Sequence, residues 1–335
     1  MTQILHRSGL AALCLAIALS GVWASLALWY RLPFSLFTRM SFTTGFAILT
    51  LAVILGLFRP RRLRALATYL LALATLITWW TSLTPPATRD WAPDVEHQVT
   101  GQLEGSLLTL EHVRNFTWRS PVDFDPNWET RSYDLDQLES LDLFMSYWSS
   151  KTIAHMIISF GFADGEQLAW SVEVRRQRDG SFSPIADMFK ANTLSLIAAD
   201  ERDVVGTRTN ARGEDVQLYR TNTSPDKARA LLLHYVAAAN QLAAQPRWYN
   251  SLFTNCTTVV LQMIRTITGD IPLDWRVLAN GYLPGYAYDA GVLDSRLPLT
   301  ELTQMGRITA RAQAQGISPE YSRMIRQGVP SPLAK

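Results

Sequence analysis

Cys256 is the residue of this sequence whose type and position point most directly to chemistry. It lies in the run Tyr249-Asn250-Ser251-Leu252-Phe253-Thr254-Asn255-Cys256-Thr257-Thr258, and the chain has one other cysteine, Cys14, inside an apolar segment. Disulfides form readily outside the cytoplasm, so a cysteine that lacks a partner there is a candidate reactive thiol. A thiolate is the nucleophile that a covalent mechanism needs, provided that a base accompanies it.

The residues around Cys256 predict that its thiol lies in the first turn of a helix. This helix is expected to begin near Asn255, to run to Ile267 and to end at Gly269. The partial positive charge of a helix N-terminus favours a thiolate and lowers the thiol pKa below its free value of ~8.5. The local sequence therefore predicts an activated nucleophile.

His155 is the candidate base among the five histidines of the chain. It begins a predicted strand, His155–Phe162, and the turn signal Asp164-Gly165 joins this strand to a second one, Gln167–Arg175. If the two strands pair as a hairpin, Glu173 has the same parity as His155 and lies on the same face. A carboxylate at that place would orient the imidazole, as the third member of a catalytic triad does.

Structural explanations of the same three residues stay open at this stage. A lone buried cysteine is often a small hydrophobic residue. A histidine at the start of a strand is often a structural residue whose hydrogen bonds are satisfied. Glu173 is followed by Arg175 and Arg176, so it is also compatible with a charged outer face.

The remaining elements of the soluble part predict an α+β domain with an antiparallel sheet. Further strands are expected at residues 193–199 and 216–220, and a helix is expected from Ser224-Pro225 to Ala244. Residues 134–148 are also predicted to form a helix, because Leu135, Leu138, Leu141 and Phe144 recur at helical spacing.

Three uncharged stretches near the N-terminus predict membrane-spanning helices at about residues 10–30, 40–58 and 65–83. A cleaved signal peptide is the alternative for the first, but two more apolar spans follow it. The loop between the second and third spans carries Arg59, Arg61, Arg62 and Arg64, which places that loop and the N-terminus in the cytoplasm by the positive-inside rule. The part after the third span is then expected outside the inner membrane.

These boundaries divide the chain into four predicted parts. Residues 1–84 form the membrane region, 85–111 a linker, 112–290 the catalytic domain and 291–335 a C-terminal extension. The net charge is +2, and the sequence has no basic-aromatic pattern that would indicate nucleic-acid binding. It has no histidine pair at metal-ligand spacing, no phosphate loop and no dinucleotide fingerprint, so no metal or cofactor is expected.

Several ordered motifs resemble the Lnb N-terminal periplasmic domain family over about residues 112–270. They are Arg131-Ser132-Tyr133-Asp134-Leu135, residues 153–162, Ser171-Val172-Glu173-Val174-Arg175, residues 199–204, Arg208-Thr209-Asn210, Leu218-Tyr219-Arg220, and Trp248 through Thr258. This family is similar to circularly permuted papain-like enzymes such as lecithin:retinol acyltransferase, in which the histidine precedes the cysteine. The resemblance implies a permuted papain-like fold, with His155, Glu173 and Asn255-Cys256 at the catalytic places.

The namesake of the family moves a fatty acyl chain from a phospholipid to the N-terminal amine of a lipoprotein. The resemblance therefore implies a thiol acyltransferase that uses phospholipid as donor and forms a thioester on Cys256. It also implies that backbone N–H groups at the helix start, helped by Asn255 or Tyr249, hold the oxyanion. The three spans lie outside the shared domain, so the acceptor is left open, a lipoprotein N-terminus being one.

Two other functions stay open. The first is a papain-like amidase or endopeptidase that cuts cell-wall peptide, for which an open polar cleft beside Cys256 would argue. The second is a non-catalytic module that binds lipid or a partner, for which a Cys256 turned away from His155 would argue. An apolar groove beside Cys256 would favour acyl transfer. The oligomeric state is not predicted.

Overall fold

The computed structural model describes residues 2–269, 272 and 274–332. These residues divide into two compact units. The first unit comprises the residues up to Pro86 together with Ser183–Ala191. The second comprises Ala87–Phe182 and the residues from Asn192 onward.

Three long apolar helices form most of the first unit. They are α1 Thr2–Arg31, α2 Leu36–Gly56 and α3 Arg62–Ser82. Each is long and apolar enough to cross a membrane, which confirms the three predicted spans to within a few residues. The hydroxyl of Tyr69 on α3 donates to the carbonyl of Ile17 on α1 at 3.0 Å, so a buried polar group links two of the helices.

The segment Ser183–Ala191 groups with the ends of these helices. It contains the short helix α4 Pro184–Met188 and places Phe189 in a stack on Tyr30, with ring centroids 5.6 Å apart. Lys190 donates from Nζ to the carbonyl of Trp80 at 2.6 Å and lies over its ring. The segment Ser183–Ala191 therefore packs on the apolar helices and belongs to the first unit.

A sheet of eight strands organises the second unit. Its order is β1-β2-β9-β8-β7-β6-β10, with β5 also paired to β2, and a separate two-stranded ribbon joins β3 to β4. All pairings of these strands are antiparallel except β2 with β9, which confirms the α+β prediction. The strands are β1 Thr100–Glu104, β2 Leu107–Arg114, β3 Thr117–Trp118, β4 Phe124–Asp125, β5 Trp128–Asp134, β6 Leu138–Tyr147, β7 His155–Phe162, β8 Gln167–Arg175, β9 Thr193–Ala199 and β10 Asp215–Arg220.

Helices cover both faces of this sheet. Helices α6 and α7 pack on one face, and α5, α10 and α11 pack on the other with an adjoining π-helix. The helices of this unit are α5 Glu201–Gly206, the π-helix Thr207–Ala211, α6 Pro225–Ala244, α7 Cys256–Thr268, α8 Leu283–Asp289, α9 Leu299–Gly306, α10 Thr309–Gln315 and α11 Tyr321–Ile325. The predicted bounds of α6 and α7 agree with these ranges.

The helix predicted at residues 134–148 is wrong. This segment is a 3-10 turn, Leu135–Gln137, followed by strand β6. The strand lies between β7 and β10 with both faces covered, and residues 141–146 are all buried. Burial on both faces removes the alternation that marks a half-buried strand, so the apolar spacing resembled that of a helix.

Two other stretches have more structure than their predicted roles imply. Residues 85–111, interpreted as a linker, contain β1 and the first half of β2. The C-terminal extension places Ile308, Ala312, Tyr321 and Ile325 in the core on the second face of the sheet. It is therefore part of the same hydrophobic core as the strands.

Candidate active site

Cys256 is the first residue of helix α7, and Asn255 is its N-cap. The side-chain oxygen of Asn255 accepts from the backbone N–H of Thr257 at 2.9 Å and of Thr258 at 3.0 Å. The hydroxyl of Thr258 accepts from the backbone N–H of Asn255 at 3.0 Å, which completes a capping box. The thiol is therefore held at the positive end of a well-capped helix of thirteen residues.

The hairpin of β7 and β8 brings His155 and Glu173 together. Ile157 pairs with Ser171, and continuing this register by two residues sets His155 opposite Glu173. The imidazole Nε2 lies 3.1 Å from Glu173 Oε1. It also lies 2.7 Å from the hydroxyl of Ser171, which donates to the same carboxylate oxygen at 2.7 Å. Ser171 was not predicted, although its place two residues before Glu173 puts it on the same face.

The Cys256 thiol lies close enough to His155 for the two side chains to interact. The His155 imidazole lowers the pKa of the thiol, the thiol raises the pKa of His155, and both residues are buried. Since Nε2 is engaged by Ser171 and Glu173, Nδ1 is the ring nitrogen left for the thiol. The arrangement of nucleophile, base and orienting carboxylate is the one that a thiol mechanism requires.

The charges of the site favour a thiolate beside an imidazolium. Burial raises the pKa of the Cys256 thiol, but the hydrogen bond and charge of His155 outweigh it and hold this pKa below the usual thiol value. Burial and Arg208 lower the pKa of His155, whereas Glu173 and the bond to Cys256 raise it, and the net pKa is raised. Burial raises the pKa of Glu173, but His155, Arg208 and Ser171 bring it well below its ordinary value.

Arg208 forms an ion pair with Glu173, and it was not predicted from the sequence. Its guanidinium lies 3.3 Å from Glu173 Oε1 and 3.2 Å from Glu214 Oε2. Glu214 in turn accepts from the hydroxyl of Ser146 on β6. Arg208 is buried on the π-helix, a rare conformation that is frequent at functional sites. The signal was available, because Arg208 begins one of the motifs that carry the family resemblance.

Asn280 is a second residue of the site that was not predicted. Its Nδ2 donates to the carbonyl of Ala154 at 2.6 Å and to the hydroxyl of Thr257 at 2.7 Å, and lies 3.8 Å from the Cys256 sulfur. Its Oδ1 accepts from the backbone N–H of Ala154 at 2.9 Å. Asn280 therefore connects Ala154, which precedes His155, to Thr257, which follows Cys256, and fixes their separation.

The structure places the two side chains that were predicted to support an oxyanion, Asn255 and Tyr249, at the N-cap of α7 and in the segment before it. Both polar atoms of the Asn255 side chain are engaged, because Oδ1 caps the helix and Nδ2 donates to the carbonyl of Ser251 at 2.8 Å. Tyr249 is buried in the same apolar cluster as Cys256. The backbone N–H of Cys256 belongs to the first turn, where a helix supplies no internal acceptor. That N–H is the donor that remains for an oxyanion at the helix start.

Comparison with known proteins bears on the same stretch of chain. Residues 124–281 match the Lnb N-terminal periplasmic domain. This confirms the resemblance, with bounds shifted from about 112–270. No curated protein and no solved structure matches the chain.

The match to the Lnb N-terminal periplasmic domain includes the whole candidate site. His155, Ser171, Glu173, Arg208 and Cys256 lie within it, and Asn280 lies at its last but one position. The three apolar helices precede it, so the chain is a membrane protein with a periplasmic domain. Strands β1 and β2 and helices α9–α11 lie outside the match, although they belong to the same compact unit.

The charges of the site predict how its reactivity depends on pH. Because the pKa of Cys256 is lowered and that of His155 is raised, alkylation by iodoacetamide should stay fast well below the free thiol pKa of ~8.5. In Glu173→Gln the carboxylate that raises the His155 pKa is absent. The imidazolium is then lost at a lower pH, the thiol pKa rises, and alkylation at mildly acidic pH slows.

Intact mass spectrometry of a Cys14→Ser background, followed over time at a series of pH values, measures this dependence. Glu166→Gln is the matched control, since this exposed carboxylate lies in the turn of the same hairpin. We expect the Glu166→Gln profile to coincide with that of the background protein. A Glu173→Gln profile that also coincides with it would show that Glu173 does not stabilise the imidazolium.

Proposed function

We propose that this protein is a membrane-anchored thiol acyltransferase that moves an acyl chain from a phospholipid to an acceptor amine. The placement of Cys256 beside His155, and of His155 beside Glu173, at the capped start of α7 is the observation that carries the proposal. The orientation that accompanies it has the N-terminus in the cytoplasm. The domain then lies in the periplasm, at the outer face of the inner membrane. A lipoprotein N-terminus is the acceptor that the family resemblance suggests.

The first half of the reaction forms a thioester. The Cys256 thiolate attacks the carbonyl carbon of the phospholipid ester, and the negative charge moves to the carbonyl oxygen near the helix start. The tetrahedral intermediate then breaks its bond to the glycerol oxygen. The His155 imidazolium gives its proton to that oxygen, so a lysophospholipid leaves and the acyl group stays on sulfur.

The second half transfers the acyl group to the amine. The neutral imidazole of His155 takes a proton from the attacking amine, and a second tetrahedral intermediate forms. Its carbon–sulfur bond then breaks, which releases an amide and restores the thiolate beside the imidazolium. Glu173, held by Arg208, keeps the ring oriented through both steps.

Exposed apolar side chains around the site support a lipid substrate. The loop before Cys256 carries Leu252 and Phe253, which are 41% and 78% exposed. The loop before His155 carries Trp148 and Ile153, which are 48% and 44% exposed. Apolar side chains exposed together mark contacts with lipid or with another apolar partner. The loop before Cys256 and the loop before His155 therefore both expose apolar side chains.

Intact mass of the full chain after incubation with phospholipid tests the proposal. We expect a mass gain of one acyl group on the wild-type protein, removed by hydroxylamine as a thioester is. Cys256→Ser should show no such adduct, whereas Cys14→Ser, the matched control, should keep it. Absence of the adduct on wild type, with the lipid unchanged, would contradict acyl transfer and make cell-wall peptides the next substrates.

A further inference from the structure

A largely apolar groove adjoins the turn that follows Asn280. It has a volume of about 630 Å³, within the ~300–1,000 Å³ range of small-molecule sites. Its lining includes the aromatic side chains of Tyr147, Trp148, Trp275 and Tyr282. Trp148, Trp275 and Tyr282 are 48%, 62% and 44% exposed, so large apolar rings face an open space.

The groove and the catalytic residues share their supporting elements. Asn280 contacts the Cys256 sulfur, and the next two residues, Gly281 and Tyr282, line the groove. The Tyr147 hydroxyl donates to the carbonyl of Gly281 at 2.8 Å, and the Gly281 N–H donates to the carbonyl of Thr152 at 2.9 Å. These two hydrogen bonds connect one wall of the groove to the loop that precedes His155.

Gly281 is required for this close approach. A Cβ at this position would overlap the backbone of Lys151 and Thr152. The turn that presents Asn280 to the thiol can therefore touch the loop before His155 only with glycine at position 281. The contact of Gly281 with the loop before His155 therefore fixes the position of the groove relative to the Cys256 thiol.

The charges at the rim do not make the groove an anion site. Arg276 is paired with Asp274 at 2.8 Å and with Asp289 at 2.6 Å. Arg307 lies 3.4 Å from Asp215. Both guanidinium groups are thus paired with carboxylates. Lys151 also lines the groove, but most of the lining surface is apolar. The chemistry of the lining suits an uncharged hydrocarbon chain better than a phosphate.

We infer that this groove holds the fatty acyl chain of the donor while its ester carbonyl lies at Cys256. The inference rests on the proposed function and adds the place where the acyl chain binds. The chain would run from the thiol past Gly281 and Tyr147 toward α8 and α9. The length of the groove then sets which acyl chains are transferred efficiently.

Filling the groove from Gly285 tests this inference. Gly285 lines the groove on α8, and a Cβ there meets Arg276 and Leu299 only at ordinary contact distances of 3.5 and 3.7 Å. Gly285→Ala should therefore be tolerated, whereas the ring of Gly285→Phe should occupy part of the groove. Leu299→Trp fills it from the opposite helix and serves as an independent second variant.

The measurement is the rate of acyl-enzyme formation by the full chain in detergent, with para-nitrophenyl butyrate and para-nitrophenyl palmitate as donors. The two esters share a leaving group, so only the chain length differs. We expect Gly285→Phe and Leu299→Trp to slow acylation by palmitate at least about tenfold and to leave butyrate within about twofold, since hydrophobic sites discriminate by such factors. Gly285→Ala should behave as wild type with both donors.

Two results would overturn the inference. One is a palmitate-to-butyrate ratio in either filled variant equal to that of wild type. The other is a larger loss with butyrate than with palmitate, because the filled groove would then not be the place where the longer chain binds. Failure of the proposed function is a separate outcome, in which neither ester acylates Cys256 of the wild-type protein.

Discussion

Replacing His155 with glutamine should lower the rate of Cys256 acylation by about 10²–10⁴-fold at neutral pH. The variant keeps a polar side chain at the start of β7 but removes the group that takes the thiol proton and returns it to the leaving oxygen. It also removes the positive charge that lowers the pKa of the Cys256 thiol. The pKa of the thiol then rises, because burial raises it and the charge of His155 no longer opposes that effect.

Single-turnover acylation with para-nitrophenyl butyrate measures this effect, since an activated ester reports the thiol step without a lipid surface. His234→Gln is the matched control. His234 is exposed on α6 and shares a hydrogen bond with the hydroxyl of Thr266 at 3.2 Å, away from the proposed chemistry. We expect its rate to be unchanged. If the His155→Gln protein is acylated at the wild-type rate at every pH, His155 takes no part in the mechanism.

Replacing Arg326 with methionine should lower the free energy of unfolding of the second compact unit by about 3–5 kcal/mol. Arg326 follows α11 and is nearly buried between two carboxylates, with nitrogens 2.6 Å from Glu201 Oε1 and 2.8 Å from Asp142 Oδ2. Glu201 and Asp142 are 0% and 1% exposed. Without the guanidinium, Glu201 and Asp142 remain buried, and each carboxylate has lost one of the partners that compensate its charge.

Thermal unfolding of the purified full chain measures this loss, which corresponds to a fall in Tm of roughly 6–20 °C for a unit of this size. Arg323→Met is the matched control on α11. Arg323 is exposed and pairs with an exposed Glu320 at 2.7 Å, so its removal should cost less than about 1 kcal/mol. Equal Tm values for the two variants would show that the buried network does not hold the C-terminal helices on the sheet.

The buried network also connects the C-terminal helices to the strand that carries His155. Ser159 on β7 donates to Glu201 Oε1 at 2.5 Å, and Glu201 accepts from Arg326. Ser159 lies on the same face of β7 as His155, because the two residues are four apart along the strand. The residues after α8 therefore support the strand of the proposed base, although they lie outside the family match.

The elements that the sequence predicted well are those specified by neighbouring residues. The three apolar spans follow from composition alone, and the start of α7 follows from the cap at Asn255. The register of β7 and β8 follows from the turn at Asp164-Gly165, because a tight turn sets the pairing of both strands. The sequence therefore predicted that His155 and Glu173 share one face of the hairpin, and the register places them opposite each other.

The elements that were missed depend on residues distant in the sequence. Strand β6 resembled a helix because its partners, β7 and β10, and the helices above and below it bury every residue in its centre. Arg208 meets Glu173 across 35 positions, and Asn280 meets Cys256 across 24. No local periodicity records such contacts, since they arise only when the strands and helices pack.

The sequence by itself determined the membrane spans, the place of Cys256 at a helix start and the shared face of His155 and Glu173, because these follow from composition, capping and strand alternation. Only the tertiary structure decided that Cys256 lies close enough to His155 to interact with it, that Arg208 pairs with Glu173, and that an aromatic groove adjoins the turn after Asn280. Those contacts join β7, β8, the π-helix, α7 and the turn at Asn280. Their geometry is set by the packing of the whole sheet and its covering helices.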